Sequence, residues 1–321
     1  MDNLAKPKIN IPQTNSDDPR LGKLLTRESD NPKVALIGFP SDEGVKRNEG
    51  RTGASRAPDA IREELYKMTP DAEEVEFFTT LLEHTNDLGN VNISGIVSED
   101  QGSLANIVAG CLEQDIIPII LGGGHETAFG HFSGYIKAEY PTAIFNLDAH
   151  TDVRPLKNGS PHSGSPFRQA LEHESGYAEK YLVAGLQPHA VSWPHIEYIK
   201  ESGGSVLFRD ETNITSVSGL FHEHESERLM VTFDMDAVDQ SCAPGVSAPC
   251  ANGLPSDLWL TAAYLAGRKE EVTSLDLSEV NPKYDRDGQT ARLAALTIWQ
   301  FMKGLSERKN YGTDQKSDPG N

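Results

Sequence analysis

Three side chains of metal-binding type stand at alternate positions in the stretch Asn146-Leu147-Asp148-Ala149-His150-Thr151-Asp152-Val153-Arg154. In an extended backbone, residues two apart project to one side, so Asp148, His150 and Asp152 would converge on a point. On a helix, His150 would face away from the other two. The apolar run Ala143, Ile144, Phe145, closed by Leu147, reads as a short buried strand, which puts the polar groups at and beyond its carboxyl end. Open parallel sheets bind ligands there. A surface turn with a chance run of polar residues would give the same letters, so the rest of the chain has to decide.

Three further apolar runs end in chemistry. Ile116 to Leu121 leads through Gly122-Gly123-Gly124 into His125, Leu229 to Phe233 leads into Asp234 and Asp236, and Val272 to Leu277 leads into Glu279. In a parallel sheet such ends share one rim. His125, Asp148, His150, Asp152, Asp234 and Asp236 then form a set of four carboxylates and two imidazoles. That set suits a pair of divalent cations and, lacking thiolates, a hard-to-borderline metal such as Mn²⁺ rather than structural zinc. Asp239 breaks the i, i+2 parity of Asp234 and Asp236 and reads as a loop or supporting residue. Taken singly, His125 could be a hydrogen-bonded loop histidine and the Asp pair turn formers; taken together on coordinated strand ends, the residues favour the metal.

The elements that must carry these residues alternate. Val34 to Phe39 reads as a strand, followed by a Gly- and charge-rich loop, Ser41 to Ala54, and a helix from about Pro58 to Lys67 with proline at its start. Val75 to Thr79 reads as a strand, and Asp87 to Val91 ends another short element. Ser103 to Gln114 is an amphipathic helix with Leu104, Ile107, Val108, Cys111 and Leu112 on one stripe, and Thr127 to Glu139 is the helix after His125. A long loop, Pro155 to Pro166, and a helix from Phe167 to about His173 follow the opening stretch. Strands at Tyr181 to Gly185 and Val206 to Phe208 alternate with helices at about Trp193 to Glu201, Ser256 to Arg268 and Gly288 to Leu305. This pattern predicts a mostly parallel sheet covered on both faces, with right-handed crossovers. Residues 1–31 read as an arm packed on the surface or on a neighbouring subunit, 32–308 as one domain, and 309–321 as a flexible tail.

Composition bounds the function. With 29 Lys plus Arg against 48 Asp plus Glu the net charge is −19, which argues against nucleic acid or an anionic membrane as partner. Cations at a carboxylate cluster would offset part of that charge. Three cysteines without CxxC spacing, Cys111, Cys242 and Cys250, indicate neither a disulfide framework nor a zinc-thiolate site. No signal-peptide core and no run of membrane-spanning length is present, so a cytoplasmic protein is expected.

The motifs Gly122-Gly123-Gly124-His125-Glu126, Asn146 to Asp152, Thr232 to Asp239 and Ser278-Glu279-Val280-Asn281-Pro282 resemble the signature set of the ureohydrolases, the arginase and agmatinase superfamily. With Gly50 to Ala54, Ala57 to Arg62 and Asp287 to Ala291, the resemblance covers about residues 34 to 305. It implies a three-layer α/β/α arginase-like fold with a mostly parallel central sheet. It also implies two Mn²⁺ per subunit, held by His125, Asp148, His150, Asp152, Asp234 and Asp236, and a homo-oligomer. Local choices look like the formimidoylglutamase branch: Asp42 to Asn48, the Gly-Gly-Gly-His-Glu form of the first motif, Asp152-Val153-Arg154, Ser163 to Phe167, and Ala243 to Pro249.

Where arginases carry an asparagine two residues beyond the last ligand of the second motif, this chain has Arg154. A guanidinium can hold a substrate carboxylate in a bidentate pair; a loop ion pair is the competing reading. Guanidino-hydrolysing relatives place a proton-transferring histidine directly before the glycine of the next loop. Here Ser163 stands there, with His162 one place earlier, so Ser163 becomes a candidate for substrate contact and His162 for proton transfer, against a plain solvated histidine. The expectation is hydrolysis of the formimino C–N bond of N-formimino-L-glutamate, a small dicarboxylate, to L-glutamate and formamide by hydroxide activated at the dimanganese pair. Glu279 would hydrogen-bond the cationic formimino nitrogen, unless it is a strand-end acid paired with a nearby base. The rivals are an agmatinase or guanidino-acid ureohydrolase releasing urea, and a non-catalytic metal-binding scaffold.

Overall fold

The computed structural model describes residues 4–15, 17–26 and 28–308. One nine-stranded sheet forms its middle layer, built from β1 (Leu4–Ala5), β2 (Val34–Gly38), β3 (Thr85–Val91), β4 (Ile117–Leu121), β5 (Thr142–Leu147), β6 (Ala178–Leu186), β7 (Ser205–Phe208), β8 (Leu229–Asp234) and β9 (Val272–Ser278). The spatial order is β1-β3-β2-β4-β9-β8-β5-β6-β7, parallel throughout except for β1. β2, β4, β5 and β8 are buried at every position, as strands covered on both faces must be, which is why they read as continuous apolar runs. One helical layer holds α1 (Leu21–Leu25), α3 (Ala57–Leu65), α4 (Val75–Glu83), α9 (Ile214–Leu220), α10 (Ser256–Arg268) and α11 (Gln289–Ser306). The other holds α5 (Val97–Leu112), α6 (Thr127–Lys137), α7 (Pro166–Leu171) and α8 (Trp193–Glu201). Among the described residues, no helix is long and apolar enough to cross a membrane.

Several expectations change. Val75 to Thr79 is helical, the start of α4: Phe78, Leu81 and Leu82 are buried at helical spacing while Val75 and Phe77 are exposed. Its aromatic and β-branched letters suit a strand, but tertiary packing of one stripe decides otherwise. The loop from Ser41 to Ala54 contains a short helix, α2 (Glu43–Arg47). α9 adds a helix between β7 and β8, started by Asn213 Oδ1 accepting from the backbone N–H of Thr215 and Ser216. Within the arm, Leu4–Ala5 pairs antiparallel with Val91 and Asn90, and Leu21 and Leu25 are buried in the core. The tail expected at 309–321 lies outside the described residues.

The chain leaves β4 through α6 to β5, three strand positions away, and returns late to fill the gap with β9 and β8. The four central strands, β4, β9, β8 and β5, thus come from distant stretches of sequence. Their carboxyl ends lie side by side where the winding changes direction, the ligand-binding crevice of open α/β sheets.

Candidate metal centre

Each motif is turned toward the crevice by backbone hydrogen bonding rather than by strand pleat. Asp148 Oδ1 accepts the His150 N–H at 2.7 Å, and Asp234 Oδ1 accepts the Asp236 N–H at 2.8 Å. These are the same Asx turn made twice at the ends of neighbouring strands, and each leaves the second oxygen of its aspartate facing inward. The i, i+2 spacing therefore does converge its side chains, but not by continuing the strand: β5 stops at Leu147, and Asp152 sits at φ +45°. The first motif needs its glycines for close approach. A Cβ on Gly123 would lie 1.8 Å from the Ser41 carbonyl oxygen, and the Gly123 carbonyl accepts the Glu279 N–H at 2.8 Å.

Two groups of ligand-type atoms result, His125 with Asp148, Asp152 and Asp234, and His150 with Asp148 and Asp236, so that Asp148 belongs to both. His125 Nδ1 lies 3.4, 3.0 and 3.1 Å from the Oδ2 atoms of Asp148, Asp152 and Asp234. His150 Nδ1 lies 3.5 Å from Asp148 Oδ1 and 3.1 Å from Asp236 Oδ2. One ring nitrogen can carry only one proton, so it cannot hydrogen-bond three carboxylates equally. Spacings of this size match the edges of a coordination shell, since metal–ligand bonds of about 2.1 Å at right angles give edges of about 3.0 Å. Asp236 Oδ1 is buried without a hydrogen-bond partner. The donor set and its spacing fit a pair of divalent cations.

Electrostatics point the same way. Burial opposes charge on His125, but the carboxylates of Asp148, Asp152 and Asp234 outweigh it and raise its pKa well above the usual histidine value; His150 is raised chiefly by Asp236. The two imidazoles hold Asp148 below the normal carboxylate range against the cost of burial. Burial, with Asp236 and Asp148 adding repulsion, drives Asp234 well up, and burial pushes Asp236 to about 6. Glu279 is raised by burial, Asp234 and Glu126. Without added cations, the cluster retains protons on some of its carboxylates and imidazoles. Bound divalent cations would displace those protons.

Glu279 adopts φ +66°; one oxygen accepts the His125 N–H at 2.9 Å, and the other is buried without a partner. Arg154 stands exposed beside the centre, its backbone N–H on the Gly164 carbonyl at 2.8 Å and its guanidinium on Asn48 Oδ1 at 3.2 Å. Asn48 in turn donates to Ser163 Oγ at 3.1 Å. Among the described residues Arg154 has no carboxylate partner, in contrast to the loop ion pair weighed from sequence. His162 is buried, its Nδ1 accepting from the Gly164 N–H and its Nε2 3.1 Å from the Pro155 carbonyl. Both ring nitrogens thus brace the loop, and burial lowers the pKa. Asp239 accepts from the Ser241 N–H as a loop residue.

Some residues near the centre carried no assignment in the sequence. Glu126 is fully buried, accepts the Gly44 N–H at 2.8 Å, leaves its other oxygen without a partner, and is raised by burial to about 7. A buried acid directly after a candidate ligand is the signal that marks it. His195, from the start of α8, reaches Thr151 Oγ1 at 3.4 Å. Arg51, which with Lys46 and Arg47 makes the loop Ser41 to Ala54 a candidate from sequence for holding a distal substrate carboxylate or a neighbouring subunit, is engaged with the carbonyls of Val246 and Ser247.

The arginase-family sequence model matches residues 32–303. The formimidoylglutamase of Rhodococcus jostii is 36% identical over 280 residues, 83% of this chain and 84% of that protein. That of Citrobacter koseri is 34% identical over 307 residues, 94% and 93% of the two. Among solved structures, Trypanosoma cruzi formiminoglutamase with Mn²⁺ superposes with a TM-score of 0.83 at 28% identity, covering 90% of this chain and 99% of that one. The formimidoylglutamase from Bacillus subtilis gives 0.83 at 25%, covering 93% and 95%. The sheet between its two helical layers, with a rim of carboxylates and imidazoles, is thus the arginase-like fold that the motifs implied. On fold and sequence together, the chain belongs to the arginase family and is a hydrolase of it.

Proposed function

We propose that this chain hydrolyses the formimino C–N bond of N-formimino-L-glutamate, giving L-glutamate and formamide, with two Mn²⁺ held by His125, Asp148, Asp152 and Asp234 on one side and Asp148, His150 and Asp236 on the other. The observation that carries the substrate class is Arg154. An exposed guanidinium without a carboxylate partner, held by Asn48 two residues beyond a ligand, attracts an anionic substrate and repels the cationic amine of an agmatine-like one. The relatives named as formimidoylglutamases support the same choice.

Bound there, the cations supply acidified water near neutral pH and a Lewis-acid surface. The protein does the rest. Arg154, set by Asn48 and by Gly164, pairs with a substrate carboxylate and fixes its orientation, with Ser163 beside it. Glu279 is held by the His125 N–H through one oxygen, which leaves the other to accept from the positively charged formimino nitrogen and stabilise that charge as the carbon becomes tetrahedral. His162, with both nitrogens engaged, is a brace for the loop under Arg154 rather than an acid for the leaving amine. The test is a product assay of metal-loaded protein: formamide release from the formimino substrate is expected, and urea release from a guanidino compound instead would overturn the assignment.

A further inference from the structure

Between α6 and the sheet, where apolar packing is the norm, the interior is polar. β8 and β9 present Thr232, Ser274, Asp276 and Ser278, and α6 meets them with His131 and Tyr135, all fully buried. Polar groups in such a place cost stability unless each is satisfied, and these are satisfied by one another. Thr232 faces Asp276 across the two strands and donates to its Oδ1 at 2.9 Å. Ser278 donates to the same oxygen at 3.2 Å, and His131 Nδ1 meets Oδ2 at 2.7 Å. Ser274 Oγ lies 2.6 Å from His131 Nε2 and 2.6 Å from Tyr135 Oη.

Counting protons gives the seam a direction. A hydroxyl has one proton, and Thr232 gives its own to Asp276. Thr232 Oγ1 is therefore an acceptor toward His125 Nε2, 2.9 Å away. The ring proton of His125 then sits on Nε2, and Nδ1, the atom facing Asp148, Asp152 and Asp234, is the bare nitrogen that a cation requires. We propose that Asp276 and His131 are positioning residues for the metal centre: acting through Thr232, they fix the tautomer and ring orientation of His125, and so set the affinity of the cation position that His125 helps to form. The inference rests on the metal reading proposed above, and neither residue touches the ligand atoms.

Mn²⁺ titration of the metal-free protein by calorimetry, with metal content after dialysis, tests it. The wild type is expected to take up two ions. Asp276→Asn replaces the carboxylate by a neutral amide and so weakens the acceptor that orients Thr232, Thr232→Val removes the hydroxyl at nearly constant shape, and His131→Leu removes the partner of Asp276 Oδ2. Each should weaken one of the two binding steps about 10- to 100-fold and leave the other within a few-fold, while Thr232→Ser keeps both steps near wild type. Wild-type affinity at both steps in Asp276→Asn and Thr232→Val would refute the positioning role. So would equal weakening of both steps alongside a matching loss of melting temperature, which is what a merely structural seam would give. A wild type that takes up no metal would instead overturn the metal reading itself, and this inference with it.

Discussion

Asp148 is the residue on which the candidate centre turns, since among the described residues it alone belongs to both groups of ligand-type atoms. Asp148→Ala is expected to abolish stable uptake of both ions and with it turnover, as read by metal analysis and activity on one sample; full turnover in a metal-depleted variant would end the dinuclear scheme. Glu279→Gln, by contrast, keeps the backbone contact to His125 but removes the carboxylate charge. It should retain its metals while kcat falls about 10²- to 10³-fold, the usual cost of losing a group that meets developing charge, and near-normal turnover would leave Glu279 a structural role. Arg154→Ala removes a charge-assisted contact worth about 1.5–3 kcal/mol. A rise in KM of about 10- to 100-fold with kcat largely kept is expected on the dicarboxylate substrate, and unchanged kinetics would retire the contact.

At the scale of the elements, the strand-end loops lock to one another. Glu126 ties the start of α2 to the loop that carries His125, through the Gly44 N–H. Burial raises its pKa from 4.5 to about 7, so the folded chain holds a proton there that the unfolded chain has released. The resulting stabilisation is full below about pH 4.5 and is lost as pH rises through 7, amounting to about 3 kcal/mol. Denaturant titrations of metal-free Glu126→Gln and wild type from pH 5 to 8 should therefore diverge, with the variant gaining on the wild type as pH rises; parallel curves would show that the carboxyl titrates normally. What the sequence disclosed follows from the same local physics. Candidate ligands at strand ends were legible because strands buried on both faces are long apolar runs and the polar residue that ends each is conspicuous, as at Leu147-Asp148 and Phe233-Asp234. The helix at Val75–Glu83 was misread because nine residues with two phenylalanines fit either period until a partner layer selects one stripe. The Thr232–Asp276–His131 seam was illegible because its members lie on β8, β9 and α6, up to 145 residues apart, and only the strand order brings them together.

The molecule as a whole carries a net charge of −19 and gathers Asp148, Asp152, Asp234, Asp236, Glu279 and Glu126 in one buried region. Like charges brought together in a core oppose folding unless cations or protons accompany them. Chelation should accordingly lower the melting temperature, since each site filled at 100 times its dissociation constant adds about 2.7 kcal/mol; equal melting with and without chelator would show that the centre folds without its ions. The two halves of the cluster are not equally covered: the His125 side chain is 1% exposed and that of His150 is 23% exposed. On the two-ion reading proposed above, the outer place would cover the inner one with Asp148 shared between them, and the expected order of filling is deep position first and shallow position second. Emptying runs in reverse, so brief treatment with a chelator should yield a singly loaded protein that keeps most of its heat resistance but cannot turn over, and that a single equivalent of manganese restores.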